Sequence, residues 1–300
     1  MLFTVVIPVF NSSDYILDTL KSVQVASRSS DYEIILIDDC SADVDKLKSM
    51  ISLFNNVRLI EKINKTNAAD SRNIGFLNSK SDYVFFLDSD DHFISNYIDD
   101  RIILHKESKA GVIFGNFITK LGNMERRSVL PNYSKEDMRD YILIKKGDFR
   151  SSVISIDKKY HKHTLFNSMC KKHQDWIFAF TCWDNGEEIK LDKQYGTVIN
   201  VERASRMSSS MNIVASEYLC DKYLNETKHI NHFSKNNWNK MIYFKDYKAC
   251  KFFISIYKPK TMSERMVFEF YRLISRKFVL PLSGEVISLL KSVRFLTKSQ

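Results

Sequence analysis

The sequence predicts an α/β fold, a mostly parallel sheet flanked by helices, followed by a helical C-terminal extension. Short apolar runs rich in Val, Ile and Phe alternate with amphipathic segments through the first half of the chain. Such runs are typical of strands buried on both faces, and their alternation with helices indicates a parallel sheet. In the last quarter, apolar residues recur at helical spacing instead. With 300 residues, 44% of them hydrophobic, the chain is long enough for one large domain or two smaller ones.

Strands and helices follow one another through the first part of the chain. The predicted strands are Thr4–Phe10, Glu33–Ile37, Val57–Ile63, Tyr83–Leu87 and Gly111–Phe117, with a further strand at Thr197–Val201. The predicted helices are Asp14–Ala26, with Ser12 or Ser13 as N-cap, Asp43–Phe54, with Ser41 as N-cap, Ala68–Leu77, Ser134–Ile144 and His173–Thr181. A sheet of this kind binds its ligands beyond the carboxyl ends of its strands.

The C-terminal part of the chain differs from the rest in charge. Of the net charge of +9, residues 226–300 contribute +10, from 15 Lys and Arg against 5 Asp and Glu, and residues 1–225 contribute the remaining −1. We therefore predict an α/β domain over residues 1–220 and a basic, mainly helical extension over residues 221–300. Its predicted helices are Glu285–Lys298 and Met262–Lys277, the latter with an apolar face of Met266, Val267, Phe270, Tyr271 and Ile274.

A basic extension can serve several kinds of partner. Nucleic acid, acidic lipid and phosphorylated substrates all attract such a surface. Aromatic residues interleave with Lys across Trp238–Lys258, but no recognised nucleic-acid-binding motif accompanies them, so we expect no nucleic-acid partner. Amphipathic helices with basic faces also lie in membrane interfaces. The simplest alternative is a helical cap that packs on the α/β domain and keeps its Arg side chains in water.

The cysteines predict neither a disulfide framework nor a zinc site. They are five in number and form no C-x-x-C pair, so buried thiols in a reducing compartment are expected. The apolar N-terminus lacks a basic leader and a small-residue cleavage site, and no apolar run has the length that spans a bilayer. We therefore expect a cytoplasmic protein.

Three carboxylates at the end of a predicted strand are the strongest chemical signal. The segment Tyr83–Asp91, YVFFLDSDD, places Asp88, Asp90 and Asp91 together. Clustered carboxylates repel one another unless a cation neutralises them. Mg²⁺ and Mn²⁺ prefer oxygen ligands and complete their coordination with substrate phosphates. The segment therefore predicts a Mn²⁺ or Mg²⁺ ion that bridges a diphosphate, and an acidic turn that only closes the strand is the alternative.

Two weaker signals precede these carboxylates. Asp38 and Asp39 end the strand Glu33–Ile37, where a carboxylate can accept a hydrogen bond from a base or a ribose; starting the next helix is the alternative role. Arg72, in Ser71–Gly75, can order nearby carboxylates or bind a phosphate, and a surface Arg is the alternative. The chain has no G-x-G-x-x-G and no G-x-x-x-x-G-K, which excludes the usual dinucleotide and P-loop motifs.

Four short motifs occur in order within the first third of the chain. They are Val6–Asn11 (VIPVFN), Ile37–Asp43 (IDDCSAD), Ser71–Gly75 (SRNIG) and Phe86–Asp91 (FLDSDD). Each is weak alone, but together they closely resemble the family 2 glycosyltransferases, whose nucleotide-binding half has the GT-A fold. The resemblance implies a metal-dependent, inverting transfer of a hexosyl or N-acetylhexosaminyl group from a UDP-sugar to an acceptor hydroxyl.

The resemblance also assigns roles to individual positions. Asp39 would bind the base, usually uracil in this family, and Asp88 would lie near the ribose. Asp90 would bind the metal with Asp88 as its second ligand, and Asp91 would contact the donor sugar or support the loop. The full set implied in nucleotide-sugar binding by these motifs is Pro8, Val9, Phe10, Asp39, Arg72, Asp88, Ser89 and Asp91.

Family members also carry an acidic pair before an aromatic residue, and the Asp of this pair is the general base. The matching segment here is His173–Phe178, HQDWIF, so Asp175 is the predicted base while Gln174 replaces the usual Glu. One carboxylate suffices to take the proton of an attacking hydroxyl. The alternative is that Gln174 and Asp175 are polar positions on a helix that packs through Trp176 and Phe178.

Two loops carry further expectations. The loop Asn64–Asp70, NKTNAAD, lacks the Gly usual in the family and has an unusual Asp70, and Asn67 is predicted to take a left-handed conformation in place of the Gly. The segment Val201–Ser208 corresponds to a basic loop that closes over the diphosphate in relatives. Arg203 or Arg206 would then stabilise the departing UDP, and a polar surface loop is the alternative.

The family resemblance implies a cellular setting as well. Relatives build bacterial surface polysaccharides such as O-antigen or capsule, on glycans linked to undecaprenyl diphosphate at the cytoplasmic face of the inner membrane. We therefore expect such an acceptor and a peripheral contact with anionic membrane. Two other functions stay open: a nucleotidyltransferase, disfavoured because Asn11–Asp14 is not a Gly-rich basic loop, and a degenerate member that binds a nucleotide-sugar without turnover, which Gln174 alone supports.

Overall fold

A computed structural model describes residues 2–201 and 211–275 of the chain. Internal contacts divide the protein into two units, with the boundary between Arg203 and Ala204. The boundary predicted from the sequence lies after residue 220. The predicted helix Glu285–Lys298 lies outside the described residues. Across the described segments, no helix combines the length and apolar character needed to cross a membrane.

The first unit is built on one mixed sheet. Its described strands lie in the order β3-β2-β1-β4-β8-β6-β9-β5, with β7 beside β6. The parallel pairing of β1 with β2 and β4, and of β2 with β3, confirms the predicted parallel half. Beyond β4 the direction changes, because β8 runs antiparallel to both β4 and β6. The strands are β1 (Phe3–Val9), β2 (Tyr32–Asp38), β3 (Val57–Glu61), β4 (Tyr83–Phe86), β5 (His92–Phe93), β6 (Val112–Leu121), β7 (Met124–Ser128), β8 (Ser155–Asp157) and β9 (Ile189–Asn200).

Helices cover the sheet between its strands. Apolar side chains of β1, β2 and β4 form one buried core with those of the first, second and fourth helices. Of the predicted helix Ser134–Ile144, only residues 138–144 are helical, and Asp140–Ile144 of these form a single π-helical turn. The predicted strand Thr197–Val201 is the end of a much longer β9, because pairing along β6 extends it through a polar stretch. The helices of this unit are α1 (Ile16–Ala26), α2 (Val44–Ile51), α3 (Ala68–Asn78), α4 (Tyr97–Ser108) and α5 (Gln174–Asp184).

The serines predicted as N-caps do not cap their helices, so that prediction is wrong. Neither α1 nor α2 has a side-chain cap. Ser41 Oγ instead accepts from the Asn11 backbone N–H at 2.9 Å, and the Ser13 N–H donates to Asp43 Oδ2 at 2.9 Å. The hydroxyl of Ser12 is buried with no hydrogen-bond partner among the described residues. The loops after β1 and β2 are therefore bonded to each other, since both end at the same sheet edge.

The cysteines depart from expectation at one position. The described residues include all five, and no disulfide joins them. Cys170, Cys182 and Cys250 are buried, and burial raises the pKa of each thiol. Cys40 is exposed instead, because it lies in the loop after β2, where its backbone takes a φ of 62°.

The described part of the second unit is helical, as predicted. Its helices are α6 (Ile213–Tyr223), α7 (Thr227–Tyr243), α8 (Tyr247–Ile256) and α9 (Met262–Ile274). Buried Trp238 of α7 is the centre of an aromatic cluster, with ring centroids at 4.7 Å from Tyr257, 6.4 Å from Phe268 and 4.7 Å from Tyr271. The cluster joins α9 to α7 and to the end of α8.

The predicted apolar face of α9 is wrong in part. Tyr271 and Ile274 pack inward, but Met266, Val267 and Phe270 are exposed. The reason is Trp238, which draws the Phe268 and Tyr271 side of α9 against the unit. An apolar stripe therefore stays on the outer side of this helix.

Buried Arg101 joins α4 to the mixed half of the sheet. Its side chain is 0% exposed, and its Nε lies 3.0 Å from Asp192 Oδ2 on β9. Nη1 donates to the carbonyls of Ile113 and Val153, at 3.1 and 3.2 Å. Because Val153 ends the 3₁₀ turn Ser151–Val153, Arg101 helps to fix a turn that lies beside the functional site.

Replacing Arg101 with Met should lower the free energy of unfolding by about 3–5 kcal/mol, because Asp192 would keep a buried charge without its partner. Denaturant titration followed by circular dichroism measures this loss. The matched control is Arg28→Met. The Arg28 side chain is 80% exposed, and its guanidinium lies 3.1 Å from Asp99. The control should cost less than about 1 kcal/mol, and an equal loss in both variants would contradict the role given to Arg101.

Candidate active site

The carboxyl ends of three strands meet at one edge of the sheet. β1 lies between β2 and β4 and is parallel to both. The chain winds outward from β1 to β3 and then crosses back to place β4 on the other side of β1. This reversal is where open α/β sheets bind ligands. Phe10, Asp39 and Asp88 follow these three strands directly or within two residues, so the fold brings them to the same edge.

The first motif contributes both backbone and side chains. Val9 is buried in the core, and its carbonyl accepts from the Asp39 N–H at 2.9 Å, so Val9 offers only backbone to the edge. Alternation along the strand places Pro8 and Phe10 on its other face. Phe10 is exposed, and the Lys65 ammonium lies 3.4 Å from its ring centroid. A base that stacks on this face of Phe10 would displace Lys65.

Asp39 is bound by a lysine that the sequence analysis did not single out. Lys62 Nζ lies 2.7 Å from Asp39 Oδ1 and 3.0 Å from Asp70 Oδ2. Asp39 Oδ1 also accepts from the Thr66 N–H at 2.8 Å. Burial opposes ionisation of Asp70, but hydrogen bonds from Thr66 and Lys62 lower the pKa of its carboxyl. The unusual Asp70 therefore shares Lys62 with Asp39.

Asn67 does not take the left-handed conformation, so that prediction is wrong. Its φ of −168° is extended, and it is the N-cap of α3, whose side chain accepts from the Asp70 N–H. Its Nδ2 donates to the Ser168 carbonyl at 2.7 Å. The loop therefore needs no Gly-like residue, because the cap itself turns the chain into the helix.

Arg72 is a buried cation among carboxylates. Its side chain is 3% exposed, and Nη2 lies 2.5 Å from Asp88 Oδ1. Burial opposes its charge, but the carboxylates of Asp88 and Asp175 raise the pKa of Arg72. Gly75, one turn later, lets α3 approach β1 closely, since a Cβ there would lie 2.2 Å from Val6 Cγ1. Arg72 lies at the edge where the motif predicts it.

The 3₁₀ turn Ser151–Val153 holds both ends of the Asp88–Asp91 loop. Ser152 Oγ accepts from the Asp88 N–H at 3.1 Å and donates to Asp91 Oδ2 at 2.6 Å. Ser151 Oγ lies 3.3 Å from Asp88 Oδ1. Asp91 is buried and uses both carboxylate oxygens within the fold, because Oδ1 accepts from the Asn200 N–H at 3.0 Å. This geometry favours loop support over sugar contact for Asp91.

The middle of the same loop is bound by two other elements. The Ser89 carbonyl accepts from Thr19 Oγ1 of α1 at 2.8 Å. The Asp90 carbonyl accepts from Asn200 Nδ2 at the end of β9. Backbone contacts therefore fix Ser89 and Asp90, and both stay half-buried. The loop is rigid before any ligand arrives, as a binding site for a charged group requires.

Asp175 lies in the first turn of α5 beside this loop. It is half-buried and accepts a hydrogen bond from the Ser151 backbone N–H. Burial raises its pKa to about 6, with the charge of Arg72 opposing the rise and that of Asp88 adding to it. Such a carboxylate is ionised at neutral pH and is more basic than an ordinary Asp, which suits a general base.

Gln174 is buried at the place of the usual Glu. Its Nε2 donates to the Cys170 carbonyl at 2.9 Å, and its Oε1 lies 3.4 Å from Arg72 Nη1. The neutral amide contacts Arg72 without adding a further negative charge to the cluster. Asp88 and Asp175 therefore share the charge of Arg72 with no carboxylate from residue 174.

The donor set at this edge suits a divalent cation that is held partly by its substrate. Among the described residues, no group of three His, Cys, Asp or Glu side chains could hold a metal. Mg²⁺ and Mn²⁺ sites often need only one or two carboxylates beside substrate phosphates. Asp88 and Asp90 are both half-buried, whereas Asp91 is buried and bonded within the fold, so Asp90, with Asp88, is better placed to meet a cation.

Two predicted site residues cannot be located, and four other residues at the site were not predicted. Arg203 and Arg206 lie outside the described residues. Lys62 had one usable signal, since it directly follows β3 at the ligand-binding edge. Ser151, Ser152 and Asn200 had none, because they belong to no motif and reach the loop only through the sheet order.

Comparison with known proteins shows the family of this chain. The family model described as glycosyl transferase family 2 matches residues 4–165. The chain is 30% identical over 227 residues to the poly(ribitol-phosphate) beta-N-acetylglucosaminyltransferase TarP of Staphylococcus aureus. The aligned region covers 72% of this chain and 68% of TarP. It is 26% identical over 185 residues to the amylovoran biosynthesis glycosyltransferase AmsB of Erwinia amylovora. Here the aligned region covers 58% of this chain and 61% of AmsB.

Solved structures show the same fold. S. aureus TarS 1–349 in complex with UDP-GlcNAc superposes with a TM-score of 0.67 at 15% identity, over 96% of this chain and 92% of that chain. TarS 1–349 in complex with UDP gives a TM-score of 0.59 at 16% identity, with the same coverage. The sheet and its flanking helices thus have the GT-A architecture expected from the four motifs. On its motifs, its fold and its family match, this chain belongs to glycosyltransferase family 2.

Proposed function

We propose that this protein is an inverting, metal-dependent glycosyltransferase that moves a sugar from a UDP-sugar to a hydroxyl of an acceptor glycan. One observation carries the proposal: Asp175, with a pKa of about 6, lies in the same charge cluster as Arg72 and Asp88 at the ligand-binding edge. The UDP and UDP-GlcNAc complexes of TarS support a uridine donor. The name of TarP supports transfer of a hexosyl or N-acetylhexosaminyl group.

The transfer uses the residues of the edge in one displacement. Asp175 accepts the proton of the acceptor hydroxyl while that oxygen attacks the anomeric carbon of the donor. The bond between the anomeric carbon and the diphosphate breaks on the opposite side, so the configuration inverts and UDP leaves. Arg72 orders the carboxylates of Asp88 and Asp175. Asp39 and Phe10 contact the uracil base of the donor. Arg203 and Arg206 are proposed to stabilise the departing diphosphate.

The metal belongs to the same proposal. Asp90, with Asp88 nearby, would hold Mn²⁺ or Mg²⁺, which neutralises the charge that develops on the diphosphate. Asp91 and the 3₁₀ turn keep the loop in place for this contact. The fixed backbone of Ser89 and Asp90 supports a preformed ligand position.

The acceptor and setting are proposed on chemical and family grounds. The name of TarP refers to poly(ribitol-phosphate) and that of AmsB to amylovoran biosynthesis. We infer an acceptor in O-antigen, capsule or a similar polysaccharide, linked to undecaprenyl diphosphate. Exposed Met262, Met266, Phe270 and Leu273 on one side of α9, in a basic part of the chain, support peripheral contact with anionic lipid at the cytoplasmic face.

A panel of nucleotide-sugars tests the donor. Purified protein with Mn²⁺ is incubated with UDP-, GDP- and CMP-sugars, and release of the nucleotide is measured with and without a polysaccharide acceptor. We expect turnover with a UDP-sugar and release of UDP. A clear preference for GDP- or CMP-sugars would overturn the uridine assignment, and release of pyrophosphate from a nucleoside triphosphate would indicate a nucleotidyltransferase instead.

Substituting Asp175→Asn should lower kcat by a factor on the order of 10²–10⁴, because the amide cannot accept the proton. UDP affinity should stay within about threefold, since Asp175 contacts the acceptor side. Calorimetry with UDP and a turnover assay separate the two effects. The control is Asp184→Asn at the other end of α5, which pairs with Arg139 instead. Unchanged turnover in Asp175→Asn would remove this residue from the mechanism.

The pH dependence of kcat/KM should report the base. Because the pKa of Asp175 is raised to about 6, the ionised, active form predominates above that pH. Below it, kcat/KM should fall about tenfold per pH unit. An acid limb near pH 4, the range of an ordinary Asp, would show that Asp175 is not the titrating base.

Substituting Asp90→Asn should raise the Mn²⁺ concentration for half-maximal activity by about tenfold or more, because one charged ligand is lost. Manganese binding followed by electron paramagnetic resonance, with UDP present, gives a readout independent of turnover. The matched control is Asp82→Asn. Asp82 is exposed and directly precedes β4, the strand that Asp90 follows. Equal Mn²⁺ affinity in Asp90→Asn and the wild type would rule out Asp90 as a ligand.

A further inference from the structure

Asp39 divides its two carboxylate oxygens between the protein and the sheet edge. Oδ1 lies 2.7 Å from Lys62 Nζ and accepts from the Thr66 N–H at 2.8 Å. Oδ2 accepts no hydrogen bond from any residue that the structure describes. The side chain keeps 11% of its surface exposed, so one oxygen is left for a ligand at the edge.

Lys62 lies beside Asp39 at this edge of the sheet. Its side chain is 5% exposed, and its ammonium contacts two carboxylates, Asp39 and Asp70, and the hydroxyls of Thr66 and Ser71. An ammonium has three hydrogens to donate, so these groups use its full capacity. A buried ammonium with so many partners has a fixed place, and it holds Asp39 Oδ1 there.

Asp70 secures both groups that bind Asp39 Oδ1. Its Oδ2 lies 3.0 Å from Lys62 Nζ and accepts from Thr66 Oγ1 at 2.6 Å. Thr66 in turn gives its backbone N–H to Asp39. The four residues Asp39, Lys62, Thr66 and Asp70 form one closed network, which we call the Lys62 network.

We propose that the Lys62 network limits Asp39 to a single acceptor oxygen for the nucleobase and thereby makes the pocket select uracil over guanine. The proposal rests on the UDP-sugar donor proposed above. Lys62 and Asp70 are positioning residues in it, because they act only through Asp39.

The chemistry of the two bases gives the selection. Uracil has one donor on its pairing edge, the N3–H, which a single carboxylate oxygen satisfies. Guanine has two adjacent donors, the N1–H and the N2 amino group, which together need both oxygens of a carboxylate. With Asp39 Oδ1 bound to Lys62, guanine would bury one donor without a partner, and such a loss discriminates strongly between ligands.

The test uses the full-length protein with three variants. Lys62→Met/Asp70→Asn removes one cation and one anion together and so preserves the net charge. Asp70→Asn removes only the outer part of the network. Lys48→Met is the matched control, since it breaks a 2.8 Å pair with Glu61 in which both side chains are about half exposed. Calorimetry with Mn²⁺ gives the Kd of UDP and of GDP for each protein.

The wild type should prefer UDP. In the double variant, UDP should bind about tenfold more weakly and the preference for UDP over GDP should fall about tenfold. Asp39 Oδ1 loses Lys62 and keeps only the Thr66 N–H, so it can also accept a hydrogen bond from the nucleobase. The kcat at a saturating UDP-sugar should stay within about threefold, which a general loss of structure would not allow. Lys48→Met should match the wild type.

Each other outcome contradicts a particular claim. A double variant that folds and keeps the wild-type UDP preference within about twofold overturns the inference but leaves the uridine donor intact. If the double variant does not fold, Asp70→Asn decides: its UDP preference should fall about threefold, and an unchanged preference overturns the inference. A wild type that binds neither nucleotide, or that prefers GDP, overturns the proposed donor and the inference with it.

Discussion

The sheet edge that gathers the carboxyl ends of β1, β2 and β4 also gathers negative charge, and buried cations make this charge tolerable. Asp39 and Asp88 follow β2 and β4 there, and Asp175 lies beside them in the first turn of α5. Lys62 and Arg72, each nearly buried, supply the opposing charge from within the fold. The clustered carboxylates are thus partly neutralised by the protein itself.

The two cations work in different ways because their partners differ. Lys62 is enclosed by two carboxylates and two hydroxyls, so it has a fixed place beside Asp39. Arg72 is shared between Asp88 and Asp175, so it links the Asp88–Asp91 loop to the first turn of α5. Gln174 preserves this sharing, since a charged side chain there would compete for Arg72. Burial raises the pKa of Asp175, while the charge of Arg72 opposes that rise and the charge of Asp88 adds to it.

The mixed half of the sheet supplies the rigidity of the loop. Ser152 binds the loop at Asp88 and Asp91, and Asn200 binds it at Asp90 and Asp91. Ser152 lies in the 3₁₀ turn just before β8, and Asn200 is the last residue of β9. Arg101 connects these elements through the Val153 carbonyl and Asp192. A charged loop held this way needs little rearrangement to meet a charged ligand.

The sequence by itself determined the parallel half of the sheet, because short apolar runs and amphipathic helices follow local periodicity. It also determined the family, because the four motifs combine residue type with spacing. Only the tertiary structure decided how Asp39 is held, what Asp70 does and which loop the pair Ser151–Ser152 supports. Those contacts join residues as far apart as Asp91 and Asn200, and no local pattern records a hydrogen bond whose geometry depends on strand order. The exposed stripe of α9 is a similar case, since Trp238 on another helix selected which side of α9 is buried.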